Sequence, residues 1–151
     1  MAIIMEPHDT IAKEKPMHVQ SIGLKSKSLF GVIEQIKSGL PMGAFDNLRQ
    51  KIGLSERALS ESMDISKRTL TRRKTEGRLS SSESERLVRL ARLFDKATEV
   101  FGNDEAVAAQ WFKTPARGLG AKTPLEMAET ELGAQEVNAL LVRIEHGVFP
   151  G

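Results

Sequence analysis

Cysteine and tyrosine are both absent from this 151-residue chain, and its only aromatics are one Trp and six Phe. Without thiols, disulfides and thiolate metal sites are excluded, and a reducing cytosol is compatible with the composition. No apolar run approaches the roughly 18 residues that a membrane span needs, so no membrane association is expected. The opening stretch MAIIMEPHDTIAKEKP places its apolar residues before its basic ones and has no long hydrophobic segment, so it does not read as a secretory signal. Alternating β-branched runs are few, and there is no Asn-Gly or Asp-Gly turn to mark a hairpin. His8, His18 and His146 are scattered without ligand spacing, so no metal site is expected. The serines between Leu79 and Ser84 lack a G-x-S-x-G context, and Gly118-x-Gly120 does not continue as a nucleotide fingerprint. No nucleophile, base and orienting group occur as a set, so neither an enzyme nor a cofactor is expected.

What is present is helical material. Hydrophobic residues make up 40% of the chain, enough for a core of Leu, Ile, Val, Ala and Met carried on helices. The net charge of +2 conceals an asymmetry. Residues 1–80 hold 14 Lys and Arg against 9 Asp and Glu, a net of +5; residues 81–151 hold 8 against 11, a net of −3. A basic front half and an acidic back half point to two different partners, unless the charges are simply solvated.

Residues 1–27 show no period and carry Pro7 and Pro16, which reads as a flexible arm. Ser28 is placed to cap a helix over Leu29 to Ser38, with Leu29, Val32, Ile33 and Ile36 on one face. A second helix is predicted from Gly43 to Lys51, with Phe45 and Leu48 inward and Gly53 past its end. Ser80 to Glu83 is a capping box, with Ser82 to Glu85 as an alternative register. It opens the longest helix, Glu83 to Phe101, along which Leu87, Leu90, Ala91, Phe94, Ala97 and Phe101 form one stripe. Asn103 is the expected cap of the next helix, which carries Trp111 and Phe112 and stops before Pro115; Trp111 reads as core. Thr123-Pro124-Leu125-Glu126 is a strong helix start. Gly133 is expected to separate that short helix from a last one, Ala134 to His146, with Gly147 as its left-handed stop. Glu85/Arg89 and Arg92/Asp95 read as surface helix pairs.

Between these helices lies LSERALSESMDISKRTLTRRKTEG, Leu54 to Gly77, which has the pattern of a helix-turn-helix. Ser55 caps a first helix running to Met63; Asp64 occupies a turn position that often needs φ > 0; Ile65 plugs the gap between the helices. Ser66 caps the second helix and Leu70 anchors it, leaving Lys67, Arg68, Thr69, Thr71, Arg72, Arg73 and Lys74 on the other faces. Six basic residues and one acidic one lie between Ile65 and Arg78. Such a helix suits a major groove, because each neutralised phosphate releases counterions and Arg pairs bidentately with guanine edges. The candidate DNA contacts are therefore Ser66, Lys67, Arg68, Thr69, Thr71, Arg72, Arg73 and Lys74.

This segment resembles the helix-turn-helix of Xre-type, lambda-repressor-like regulators, with two departures: Ser60 stands at the usual small position and Asp64 at the turn glycine. Glu56 stands where such proteins often carry a phosphate-contacting Gln. The resemblance continues through Glu76 to Ser80, Glu83 to Leu87, Glu99 to Gly102, Trp111-Phe112, Leu119 to Leu125 and Arg143 to Phe149. Taken in order from about Gly53 to the end, these segments are similar to the Xre/MbcA/ParS antitoxins. The resemblance implies an all-α helical bundle, with a helix-turn-helix over residues 28–80 and a toxin-binding module over 81–151. It also implies an antitoxin that blocks a RES-type toxin, a consumer of NAD⁺, and that represses its own operon by binding operator DNA. Because helix-turn-helix proteins usually read paired half-sites, a homodimer is expected, through the helices of Ser28 to Lys51 or through the arm. The last helix ends in Arg143 and His146, followed by Gly147, Val148, Phe149, Pro150 and Gly151. An apolar tip held at a helix end can enter a cleft at little ordering cost, which makes these seven residues the candidate toxin contact, unless Val148 and Phe149 fold back on their own core. The rival reading is a stand-alone regulator whose C-terminal half only dimerises.

Overall fold

The computed structural model describes residues 17–26 and 28–147. Strands β1 (Met17–Val19) and β2 (Leu24–Ser26) pair antiparallel around the 3₁₀ turn Gln20–Ile22. The helices α1 (Leu29–Ser38), α2 (Met42–Ile52), α3 (Glu56–Ser62), α4 (Lys67–Glu76), α5 (Ser81–Val100) and α6 (Glu105–Phe112) follow. A second 3₁₀ turn, Arg117–Leu119, leads to α7 (Pro124–Met127) and α8 (Glu131–Glu145).

The all-α expectation holds, with a small hairpin added to it. Residues 17–26 do not behave as the arm expected for 1–27. Val19, Ile22 and Leu24 are buried, Ser21 donates from its backbone N to Asp95 Oδ1 at 3.2 Å, and its hydroxyl donates to the Ala91 carbonyl at 3.2 Å. Strands of three residues carry too little alternation to be read, and the turn is made by Gly23 at φ 70° rather than by an Asn-Gly pair. The rest of the arm lies outside the described residues.

Local chemistry explains most helix boundaries. The hydroxyls of Ser28, Ser55, Ser66, Ser80, Thr123 and Thr130 each accept a backbone N–H of the first turn. Ser80 with Glu83, and Thr123 with Glu126, complete reciprocal capping boxes. Ser80 is thus the register used, two residues ahead of the alternative at Ser82. Asn103 is not the cap of α6; it takes φ 63° beside Gly102, and the carboxylate of Asp104 accepts from Val107 N instead.

The spine is α5, which packs against α8, α6, α1 and the first 3₁₀ turn. Its stripe of Leu87, Leu90, Ala91, Phe94 and Ala97 is fully buried, each large side chain contributing about 1.5–3 kcal/mol. Phe94 meets Phe112 of α6 edge to face at 6.1 Å. Trp111 is half-buried against the core and meets the Phe101 ring at a tilt of 55° with centroids 5.5 Å apart. In α1 only Val32 of the expected face is fully buried, whereas Leu29 remains 48% exposed. One continuous core runs from Val19 to Leu141, so the boundary expected at 80/81 falls at the start of a helix shared by both halves.

Two further expectations are corrected by packing. Gly133 does not separate two helices; it lies in the first turn of α8, where a Cβ would stand 1.7 Å from the Met127 carbonyl oxygen. The residue is glycine because α7 and α8 touch backbone to backbone there. Gly133→Ala must move a backbone carbonyl rather than a flexible side chain, and is expected to cost about 3 kcal/mol, lowering Tm by roughly 10 °C in a thermal melt. A Tm unchanged by the methyl would show that this close approach is absent in solution. The pairs Glu85/Arg89 and Arg92/Asp95 are not formed as surface pairs. Arg89 instead donates to the carbonyls of Ala128 and Glu129 at 3.3 and 3.1 Å, and Asp95 faces the hairpin, where burial pushes its carboxyl up.

Candidate functional site

The helix-turn-helix is built from α3 and α4. Ser55 caps α3 by accepting from Ala58 N at 3.0 Å. Ser60 is 4% exposed, so the usual small position is small because a neighbouring surface covers it. Asp64 takes φ 55°, a left-handed conformation that Asp tolerates better than most residues, and the next residue, Ile65, is buried between the helices. The Ile65 N–H returns to the Ser60 carbonyl at 2.8 Å, which closes the turn. Ser66 then caps α4 by accepting from Thr69 N at 3.1 Å, and Leu70 is buried as its anchor.

Eight residues here are candidate DNA contacts, and the structure separates them. Lys67, Arg68 and Arg72 are exposed and form no ion pair among the described residues. Thr71 is exposed, although its hydroxyl donates back to the Lys67 carbonyl at 3.0 Å. Ser66 and Thr69 are joined through their hydroxyls at 3.0 Å at the helix start. Lys74 is exposed and paired with Glu56 of α3 at 3.0 Å. The residue in the place of a phosphate-contacting Gln is therefore occupied in holding a cation of α4.

Arg73 does not belong with the free cations. Its side chain is 17% exposed; Nε and Nη2 donate to the two Glu83 oxygens at 2.7 and 3.1 Å, and Nη1 donates to Glu76 at 3.0 Å. These hydrogen bonds, Glu83 first, raise its pKa above the ordinary arginine value. Burial alone would push the Glu83 carboxyl up, but the Arg73 and Ser80 hydrogen bonds outweigh it and hold the group below its ordinary range. Glu83 thus does two jobs: it closes the capping box of α5 and fixes α4 against α5. Arg86, one turn further along α5, donates to the Met63 carbonyl at the end of α3 at 3.0 Å. Both tethers escape periodicity, because they join residues 10 and 23 apart on different helices.

The corner between α7 and α8 approaches the same turn from the acidic side. Burial raises the Glu129 carboxyl, and the charges of Glu126, Asp64 and Glu61 push it the same way. The helix-turn-helix thus has one cationic face, on α4, and one acidic flank.

At the far end of α8, Arg143 is half-buried and His146 is exposed. His146 Nδ1 lies 2.9 Å from the Val142 carbonyl, so the ring folds back on the last turn of α8. Gly147 takes φ 74° and its N–H returns to Ile144 at 3.0 Å, the left-handed stop the sequence predicts. Lys96 of α5 holds Glu145 at 3.1 Å, which anchors this helix end. Val148, Phe149, Pro150 and Gly151 lie outside the described residues. No group of His, Cys, Asp and Glu that could hold a metal occurs among the described residues, and none of their helices is long and apolar enough to cross a membrane.

This geometry defines a helix-turn-helix protein whose recognition unit shares its core with a second helical module. Comparison with known proteins narrows the class. Residues 31–92 match the antitoxin Xre-like helix-turn-helix domain, and residues 96–147 match the antitoxin Xre/MbcA/ParS C-terminal toxin-binding domain. The two matches meet inside α5. An Antitoxin Xre of Yersinia enterocolitica is 36% identical over 143 residues, covering 94% of this chain and 97% of the relative. Another, from Photorhabdus laumondii, is 35% identical over 130 residues, covering 85% and 88%. A third, from Pseudomonas putida, is 33% identical over 69 residues, covering 46% and 43%. The chain belongs to the Xre antitoxin family.

Proposed function

We propose that this antitoxin neutralises a RES-type, NAD⁺-consuming toxin by occlusion and represses its own operon by binding operator DNA through α4. The observation that carries the reading is the joining of a helix-turn-helix domain and a toxin-binding domain in one chain, with Lys67, Arg68 and Arg72 of the former exposed and without an ion pair among the described residues. On this reading Lys67, Arg68, Thr71 and Arg72 meet the major groove. Ser66 and Thr69 hold the start of α4, and Lys74 reaches phosphate from its pair with Glu56. Arg143, His146 and Gly147 orient the tail Val148–Gly151 into the toxin's substrate cleft. A homodimer follows from paired half-sites. Leu29 and Phe30, 48% and 61% exposed at the start of α1, support a contact there, which light scattering of the purified chain reads directly.

The toxin half of the reading is tested by deleting Val148 to Gly151 and co-expressing the chain with the neighbouring toxin gene. The expected result is loss of growth rescue, with a binding defect of roughly thirtyfold to a thousandfold, since a buried aromatic anchor such as Phe149 is worth about 2–4 kcal/mol. Full rescue and full binding by the shortened chain would discard the tail as the blocking element. Lack of rescue even by the intact chain would favour a stand-alone regulator.

A further inference from the structure

A lysine of the second module lies beside the helix-turn-helix. Helix α6 packs on α2, and Lys51 of α2 holds Glu105 at the start of α6 at 3.1 Å. This docking carries the other end of α6 back to the loop between α2 and α3. There the Lys113 ammonium lies 3.0 Å from the point a Gly53 Cβ would occupy. Gly53 takes φ 82° and stands two residues before Ser55, the cap of α3. Lys113 therefore sits over the entrance to the first helix of the helix-turn-helix, the helix that crosses the nucleic-acid backbone in this mode of docking.

Gly53 is also the C-cap of α2, whose C-terminal dipole favours a cation there, but no acidic partner fixes this one among the described residues. Lys113 is exposed and forms no ion pair among the described residues. Glu56, the acid at the start of α3, is already held by Lys74. A helix C-terminus favours a cation, but the Lys113 ammonium donates to none of the last carbonyls of α6 among the hydrogen bonds of the described residues. A lysine suits a phosphate as a compact point charge on a flexible stem. Resting on the DNA-binding role proposed above, we propose that Lys113 contacts the DNA backbone beside the helix-turn-helix, so that the toxin-binding domain contributes directly to operator affinity. It adds strength without sequence preference, because a phosphate contact carries no base information.

The test uses the full chain, as wild type and as Lys113→Ala, Lys113→Arg and Arg68→Ala. Binding to a random-sequence duplex and to the chain's own promoter fragment is followed by fluorescence anisotropy over a salt series. Lys113→Ala is expected to weaken both complexes several-fold alike and to reduce the slope of log K against log salt by about one. Lys113→Arg keeps the wild-type slope, and toxin binding is unchanged in all the Lys113 variants. A wild-type slope and affinity in Lys113→Ala overturn the proposal. If Arg68→Ala loses slope in the same series, the failure is confined to Lys113. If the wild type itself binds with no salt dependence, the DNA-binding reading falls, and this inference falls with it.

Discussion

Arg68→Ala combined with Arg72→Ala is expected to abolish promoter binding at moderate salt while leaving toxin neutralisation intact. The two residues lie one turn apart on the exposed side of α4, and neither is engaged by a carboxylate among the described residues. A bidentate contact to a base is worth about 1–3 kcal/mol, so losing both weakens binding by on the order of thirtyfold to ten-thousandfold. Two phosphate contacts would show instead as a salt slope reduced by about two, with equal loss on any duplex. The measurement therefore assigns the role as well as the effect. Arg57→Ala is the matched control, since that side chain is 88% exposed but lies on α3 and is paired with Glu61. Undiminished promoter binding by the double variant would remove α4 as the recognition helix.

Arg73→Ala should act through stability instead. It strips the Glu83 carboxylate, 8% exposed, of both guanidinium hydrogen bonds and leaves it with the Ser80 N–H. Removing one partner of a fully buried pair costs about 3–5 kcal/mol, mostly because a charge stays buried without its counter-ion; this pair is partly buried, so about 2–3 kcal/mol is expected. A loss that large consumes a substantial part of the stability of an ordinary domain. Glu83→Gln is milder, since Arg73 keeps Glu76 and can turn its head to water. The sign with pH follows from the depressed Glu83 carboxyl. A group whose folded value lies below its unfolded one contributes fully above the ordinary glutamate value of about 4.3, and that contribution is lost as pH falls through the folded value. Asp95, raised by burial, acts in the opposite sense, stabilising more at low pH than at neutral pH. The Tm difference between wild type and Glu83→Gln isolates the first effect: it should be largest at neutral pH and shrink below about pH 4. A difference that stays constant across that window would mean the pair is not formed as described.

The division between these two arginines shows how much of the site was legible beforehand. Arg68, Arg72 and Arg73 are equivalent in a sequence, three cations on one short basic helix. They become different only when α5 brings Glu83 alongside Arg73. Lys74 and Glu56 are likewise 18 residues apart, and Lys113 meets Gly53 across a domain boundary. Sequence reading also mistook Gly133 for a stop, because a lone glycine in a helical pattern is read as punctuation. Its actual reason, contact with the Met127 carbonyl, lies on another helix.

What the chain determined alone was decided within one helical turn. The caps at Ser55, Ser66, Ser80 and Thr123 and the periodic stripe of α5 rest on positions three or four apart, and the left-handed Asp64 and the plug at Ile65 on residue type at a turn. Those interactions are enforced by backbone geometry, so residue types suffice to reveal them. The packing of helices settled the remainder: which cation stays free, which carboxylate holds α4 to α5, and that the hairpin of Met17–Ser26 joins the core. Those outcomes depend on distances between elements far apart in the chain, and such distances come into being only when the apolar faces close on one another and exclude water.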